Sequence, residues 1–271
     1  MLDGGIAAFL GKVRSYVPWF AVVRGEGVDA PLVGVGLYSV PEAARIASYA
    51  AKFSLKADTV RRWTKGYSFR REDRENFSES IISSAIDLDG AYVLSFSELV
   101  ELLYITAFRR EGLSMRLIRA IHDHAKIALN CQHPFATRKF YTDGKNILWE
   151  LTQDDVDTTL ERDHLIEDIR SKHIVLEEVV KPFFRKLDYI EEIASAFWPL
   201  GRERSIMISP QFSFGRSVES ASGVPTEAIF SAFKAGETLD SIADWFEMSI
   251  QGVRDALEYE RGLRSPLNQA A

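Results

Sequence analysis

The sequence contains very little cysteine, with Cys131 as the single example among 271 residues. One thiol cannot form a disulfide within the chain, and this agrees with a reducing compartment. Apolar runs long enough to cross a membrane are missing, and the first residues, MLDGGIAAFLGKVRS, lack the basic start and clear cleavage site of a secretory signal. We therefore expect a cytoplasmic protein that contacts no membrane.

Sequence motifs of common catalytic sites are missing too. The chain has no phosphate-binding P-loop, no Gly-x-Gly-x-x-Gly after a strand, no Gly-x-Ser-x-Gly and no His-Glu-x-x-His. Asp154, Asp155 and Asp157 could suggest the carboxylates of a nuclease, but beside Thr152 they are explained more simply as a helix N-terminus. We expect no enzyme, no catalytic residue and no cofactor.

A metal site has weak support in the sequence. His122 and His124 are two residues apart, so on a helix they diverge and cannot grip one ion. With Cys131 and His133 nearby a sensor-type site is conceivable, although packing at a helix end is the simpler interpretation. We expect no metal.

Charge is distributed unevenly along a chain whose formal net charge is -6. Residues 52–74 contain eight lysines and arginines against three acids, whereas residues 150–200 contain thirteen acids against six bases. A cationic segment followed by an acidic one suits a protein with two different partners.

The cationic segment belongs to a pattern typical of a helix-turn-helix. Ser39 and Pro41 predict the start of one helix, and a second is expected to begin near Thr59 with Asp58 as its cap. Val60 and Trp63 share one face and should pack on the first helix. The remaining charged face is either merely solvated or contacts DNA, and we favour DNA because a basic, hairpin-like segment follows at once. The candidate DNA-binding residues are Thr59, Arg61, Arg62, Lys65, Tyr67, Arg70 and Arg71.

Further elements follow from local signals. Residues 80–82 and 91–94 could form the strands of a wing, and residues 138–149 a hairpin around Asp143-Gly144. The spacing of Ser95 and Glu98 predicts a capping box for a helix that ends near Arg110, with Ser114 capping the next. Residues 187–190 fit a strand or a helix. Near the C-terminus residues 206–208 and 212–214 are expected as strands before three helices, signalled by Pro225, Thr238 and Ser249.

These motifs resemble known proteins. The segments SVPEAA, TVRRW and GY at residues 39–67 resemble the winged helix of MerR-like DNA-binding proteins. The stretches LSFSELVELLYITAFRREGLSMRLIRAIHDHA and HPFATRKFYTDGKNI resemble the rest of that domain in a VapB-type group of antitoxins, and residues 208–263 resemble a small helical domain of unassigned function found in them. One departure is the long segment 48–53 between the two helices, where a short turn with glycine is usual.

The resemblance and the residue patterns together predict a mostly α, α+β chain in four parts. Residues 1–37 form an N-terminal arm, 38–149 the MerR-like winged helix-turn-helix, 150–204 a helical linker region, and 205–271 a C-terminal helical, helix-turn-helix-like interaction domain. Trp245, Phe246 and Tyr259 suggest that the last part holds two copies together as a homodimer.

Three functions remain open at this stage. The first is an antitoxin of a type II toxin-antitoxin pair, which represses its own operator and, as the resemblance implies, neutralises a PIN-type ribonuclease toxin. The second is a stand-alone MerR-like transcription regulator with a small-molecule pocket, and the third is an adaptor that never touches DNA. For the first, Trp198, Arg202 and Arg204 are the candidate toxin-binding residues, because arginine can grip the acids of a PIN-type site. The same segment could instead be a linker packed on its own chain.

Overall fold

The computed structural model describes residues 35–71, 74–82, 87–88, 91–142 and 180–265. Helices and antiparallel sheets are mixed in this part of the chain, in agreement with the expected α+β class. The helices are α1 (Val40–Ala51), α2 (Ala57–Lys65), α3 (Phe96–Arg110), α4 (Met115–Leu129), α5 (Thr226–Lys234), α6 (Leu239–Trp245) and α7 (Ile250–Leu263). The strands are β1 (Tyr38–Ser39), β2 (Tyr67–Arg71), β3 (Arg74–Ser78), β4 (Asp87–Leu88), β5 (Ala91–Leu94), β6 (Leu187–Ile190), β7 (Ile193–Phe197), β8 (Ile206–Ile208) and β9 (Ser217–Glu219).

Helix α3 lies at the centre of the structure and is buried on nearly all sides, from Glu98 to Phe108. Its predicted capping box is present: the Glu98 N–H donates to the Ser95 hydroxyl at 3.3 Å, and the Ser95 N–H donates to the Glu98 carboxylate at 2.6 Å. The helix ends at Arg110, and Ser114 caps α4 as expected. A helix that is buried on most of its faces must be covered by neighbours, and here they include α1, α4 and the turn at residues 134–136.

One hydrophobic core runs through the described residues, from the first helices to the last. It contains Val60 of α2, Leu103 of α3, Phe197 of β7 and Tyr259 of α7. A smaller apolar cluster of Ala196, Met207 and Val218, with Trp198 and Phe212 beside it, belongs to the sheet of β6 to β9. None of the described helices is both long and apolar enough to span a bilayer.

The C-terminal half contains a four-stranded antiparallel sheet in the order β6-β7-β8-β9. Residues 187–190, which fitted either a strand or a helix, form β6. Strand β7 precedes residue 204 in the sequence and β8 follows it, and the two strands pair with Phe197 opposite Ile208. The predicted boundary between linker and C-terminal domain therefore falls inside one sheet, and the expected helical part at 150–179 lies outside the described residues.

The three C-terminal helices are present as expected. Thr238 accepts the Ser241 N–H at 3.1 Å and Ser249 accepts the Gly252 N–H at 2.9 Å, so both predicted caps are confirmed. Residues 212–214, however, are not a strand: Ser213–Gly215 form a 3-10 turn. Its backbone turns away from a strand because Ser213 and Phe214 both have positive φ angles.

Two other local predictions are wrong. Residues 138–142 are helical and not a strand, because the Thr137 hydroxyl accepts the Phe140 N–H at 3.3 Å and caps a helix start. Residues 81–82 are not a wing strand either, since the Ile81 and Ile82 N–H groups donate to the Trp63 carbonyl at 2.8 and 3.2 Å. The expected turn at 143–144 lies outside the described residues.

Helix α7 packs directly against α1. The Tyr49 ring lies edge-on to Tyr259, with centroids 5.2 Å apart. A Cβ atom at Gly262 would lie only 2.2 Å from the Tyr49 ring, so glycine is what allows the close approach. The C-terminal helices are thereby in contact with the first helix of the predicted helix-turn-helix.

Candidate nucleic-acid interface

The reading head, defined as α1, α2 and the β2–β3 hairpin, begins with two helices joined by a short turn. Residues 48–51, which the sequence analysis placed between the two helices, complete α1, so the turn contains only residues 52–56. Lys52 has φ 51 and takes the left-handed position where glycine is common. The Ser48 hydroxyl supports the turn by donating to Ala44 O at 2.7 Å and accepting the Leu55 N–H at 3.0 Å.

Helix α2 is fixed by its apolar side. Val60 and Trp63 are buried as predicted, and both belong to the common core. The predicted cap is wrong: α2 begins at Ala57 with extended Lys56 before it, and Asp58 lies inside the first turn. There the Asp58 carboxylate interacts favourably with the positive end of the helix dipole. Its Oδ1 atom also pairs with Arg61 Nη1 at 2.5 Å.

The opposite side of α2 is cationic and exposed. Arg61, Arg62 and Lys65 are all exposed, and Thr59 is half-buried. The guanidinium of Arg62 lies 5.7 Å from the Tyr67 ring centroid, and the ammonium of Lys65 lies 4.7 Å from that of Tyr92. Such contacts orient the cations without neutralising them.

The β2–β3 hairpin follows α2 after one residue, Gly66, whose φ is 74. A Cβ at Gly66 would lie 2.6 Å from the Ser78 carbonyl oxygen and 2.7 Å from the Phe77 ring. The close return of β3 over this position therefore requires glycine. The sequence analysis predicted a basic, hairpin-like segment at residues 66–71 but did not identify the second strand, residues 74–78, which carry mixed charge.

The hairpin exposes aromatic and basic groups. Tyr67, Phe69 and Phe77 are exposed by 38, 40 and 62%. Arg70 is exposed and lies opposite Glu75 in the register. Arg71 lies at the end of β2, and its side chain is outside the described part. The contact between Arg62 and Tyr67 links the cationic side of α2 to β2, and exposed basic and aromatic side chains are the composition expected at a nucleic-acid interface. Contact of these residues with DNA stays a prediction.

The candidate toxin-binding residues lie at the other end of the chain, beside the four-stranded sheet. The Trp198 indole N–H donates to the Asp188 carboxylate at 2.6 Å, and Arg202 pairs with the same carboxylate at 2.7 Å. Arg204 pairs with Asp255 at 2.8 Å and with Glu258 at 2.6 Å. All three side chains have partners within the chain, as a packed linker would, and their contact with a toxin stays a prediction.

A buried acid that the sequence analysis did not single out lies behind the reading head. Glu101 of α3 is fully buried, and His122 Nε2 of α4 lies 3.0 Å from its Oε2 atom. His133 Nδ1 lies 3.6 Å from the same oxygen, and the Phe135 N–H donates to Oε1 at 3.4 Å. The one available signal was a lone acid in the apolar run Leu99-Val100-Glu101-Leu102-Leu103, since a buried carboxylate needs a partner. Among the described residues no group of three or more His, Cys, Asp or Glu side chains is arranged to hold a metal ion.

The cluster is held in its charged form. Burial favours the neutral ring of His122, but the Glu101 carboxylate, with Asp123, outweighs burial and raises the pKa of His122 to about 9. Burial likewise opposes the charge on His133, and the Glu101 carboxylate raises its pKa. For Glu101 burial favours protonation, yet the two imidazoles lower its pKa. The attraction between the opposite charges therefore compensates for the hydration that each group loses on burial.

Stability should consequently fall between pH 6.5 and pH 9. Over this range His122 binds its proton in the folded protein and loses it in the unfolded one, so its contribution is complete below pH 6.5 and lost as pH rises through about 9. The slope of the unfolding free energy should approach about 1.4 kcal/mol per pH unit for one such proton. Urea unfolding at a series of pH values measures it.

The matched variant is the double change Glu101→Gln with His122→Gln, whose amides can form a hydrogen bond without charge. The unfolding free energy of this variant should depend less on pH over this range than that of the wild type. Ile127→Gln, which changes an exposed side chain of the same helix that binds no proton, should keep the wild-type slope. An equally steep profile in the double variant would exclude the pair as its source.

Comparisons with known proteins agree with this architecture. No family model matches the chain. The chain is 25% identical over 232 residues to a curated Mycobacterium tuberculosis protein named "Putative antitoxin VapB45", and the match covers 83% of this chain and 93% of that protein. The crystal structure of Rv2018 from Mycobacterium tuberculosis superposes with a TM-score of 0.63 at 22% identity, covering 84% of this chain and 98% of that one. The chain therefore shares its fold with Rv2018 and is similar in sequence to a protein named as an antitoxin.

Proposed function

We propose that this protein is the antitoxin of a type II toxin-antitoxin pair. In this role it binds and neutralises a PIN-type ribonuclease toxin and represses its own operon by binding double-stranded DNA at the operator. The similarity to the VapB45 protein carries the proposal, because it covers 83% of this chain and 93% of that protein. It also supports a regulatory rather than an enzymatic role.

The reading head is our candidate for the DNA contact, in a MerR-like winged helix-turn-helix arrangement. Helix α2 would lie in the major groove and present Thr59, Arg61, Arg62 and Lys65. The hairpin would lie along the backbone with Tyr67, Arg70 and Arg71. The support is geometric: the apolar side of α2 is buried in the core, so its cationic side is the one left for a ligand.

Changing Arg62 and Arg70 separately tests this arrangement. Arg62→Ala should weaken operator binding by about 1–3 kcal/mol and leave non-specific DNA less affected, because a base contact is lost. Arg70→Ala should weaken all sequences alike and reduce the salt slope by about one unit. Mobility shifts at two salt concentrations separate the two effects.

Arg254→Ala, an exposed arginine on α7, is the matched control and should bind DNA like the wild type. Unchanged binding in both Arg62→Ala and Arg70→Ala would remove the reading head from the interface.

The toxin contact is proposed at Trp198, Arg202 and Arg204. Arg202 is the best placed of the three, since half of its side chain is exposed and its partner Asp188 is also accessible. Arg204 is less free, because Asp255 is buried beneath it. Arg202 also donates to the Leu187 carbonyl oxygen, so turning to another carboxylate breaks that hydrogen bond together with an exposed ion pair of small net free energy.

Charge reversal at Arg202 is the sharper test of the toxin contact. Arg202→Glu should restore ribonuclease activity to a co-purified toxin and shorten the lifetime of the complex, because an acid would face the acidic toxin site. Glu203→Lys is the matched control: it reverses the charge of an exposed neighbouring residue in the opposite direction. This variant should still inhibit the toxin. Full inhibition by Arg202→Glu would place the blocking element elsewhere.

The homodimer is proposed to form through the C-terminal helices. Of the three aromatics expected there, Tyr259 is fully buried within the chain, whereas Trp245 is 61% exposed and Phe246 is half-buried. Trp245 is thus the candidate for a two-fold contact.

Light scattering of single variants distinguishes two dimer surfaces. Trp245→Glu should convert the dimer to a monomer if α6 forms the contact. Ile127→Glu changes an apolar residue of α4 that is 81% exposed, and should leave the dimer intact. The reverse result would assign the two-fold contact to the α3–α4 pair.

A stand-alone MerR-like transcription regulator is the second candidate. One observation favours it, a cavity of about 280 Å³ between the end of α1, the four-stranded sheet and the end of α7. Stable purification without a toxin and with a bound ligand would support this alternative.

A further inference from the structure

Two lysines from distant parts of the chain line the cavity between α1 and α7. Lys52 follows the last residue of α1, and Lys186 precedes β6. The cavity has a volume of about 280 Å³, and its lining also includes Tyr49, Pro199, Gly262 and Ser265. We call it the two-lysine pocket.

The lysines of this pocket lack an acidic partner within the described part of the chain. The Lys186 ammonium donates to the Pro199 carbonyl oxygen at 3.1 Å, a neutral acceptor, and none of the aspartates and glutamates that the structure describes lines the cavity. An ammonium carries three donors, so one carbonyl leaves two of them for another acceptor. Burial lowers the pKa of Lys186, and the charge of Lys52 lowers it further.

Two like charges that converge on a half-enclosed space cost free energy unless an anion joins them. Two arginines of the same region are neutralised internally, since Arg204 pairs with Asp255 and Glu258, and Arg202 with Asp188. One lysine and one acid would fill the same space equally well, so packing alone does not explain two lysines.

The walls indicate the kind of anion. The Tyr49 ring, Pro199 and Ala50 give an apolar lining, while Ser265 adds a hydroxyl beside the lysines. A volume of about 280 Å³ is below the range of drug-sized ligands, so the occupant is small. Duplex DNA cannot enter such a space, although its backbone could reach Lys52 at the exposed edge.

We propose that the two-lysine pocket is a binding site for a small organic anion, whose carboxylate or phosphate group lies between Lys52 and Lys186 and whose apolar part lies against Tyr49 and Pro199. The site goes beyond the antitoxin function and does not depend on it. Because Lys52 begins the turn to α2 and Gly262 belongs to α7, the anion joins the reading head to the C-terminal helices.

Calorimetric titration of the full chain with inorganic phosphate and with benzoate, at constant ionic strength, tests the site and separates the two head groups. The wild type should bind one equivalent of at least one probe. Lys52→Met and Lys186→Met should each reduce its affinity tenfold or more, since each removes one charge and keeps the apolar stem. Circular dichroism verifies that both variants are folded.

Lys56→Met is the matched control, because Lys56 is an exposed lysine of the same turn that does not line the pocket. It should bind the probe like the wild type. Equal loss in all three variants, or no difference between the wild type and the Lys52→Met/Lys186→Met double variant, would overturn the site. Loss of operator binding by Lys52→Met without any probe binding would also overturn it, and would assign Lys52 to the DNA backbone.

Discussion

The burial of α3 on nearly every side is the constraint on which most of the described structure depends. An α-helix so placed exposes little surface to water, and its neighbours must supply apolar cover: Ala43 and Ala47 of α1, Ile118 and Ile121 of α4, and Phe135 from the turn that follows. The reading head is thus attached to the same helix that the rest of the chain packs around. Its position is set by hydrophobic burial and not by a linker.

A buried carboxylate inside that helix has a different effect. Glu101 would be costly among apolar side chains, and the charges of His122 and His133 compensate for the water that it loses. Apolar packing tolerates small shifts, whereas an ion pair with two close oxygen–nitrogen distances does not. The Glu101 cluster therefore specifies how α3, α4 and the following turn sit together, in addition to whatever it contributes to stability.

Much of the helical structure could be predicted because its signals are local. Ser95 with Glu98, Ser114, Thr238 and Ser249 cap helices through hydrogen bonds to residues three positions away, so the sequence nearby contains the full cause. The hairpin expected at 138–149 failed at its first strand for the same local reason, since the Thr137 cap starts a helix there.

What the sequence could not indicate is non-local. Strand β9 is three residues long and is defined by its pairing with β8, and Glu101 is explained by residues 21 and 32 positions further on. The candidate DNA surface was predictable as a cationic helix face followed by a basic, hairpin-like segment, but the second strand of that hairpin, residues 74–78, was not. The internal ion pairs of Arg202 and Arg204 depend on Asp188 and Asp255, which no pattern in the sequence connects to them.

The contact between α1 and α7 has a consequence for the order of folding. Tyr49 packs against Tyr259 and Gly262, and Tyr38 packs against Gly215. Residues near the start of the described chain therefore complete their packing only when residues about two hundred positions later have been synthesised. On the ribosome the segment 38–94 would therefore emerge long before its cover exists, with apolar surface open to water. Long-range closure of this kind slows folding and exposes a chain to proteases and chaperones. The packing of α1 is therefore complete only after α7 has been synthesised.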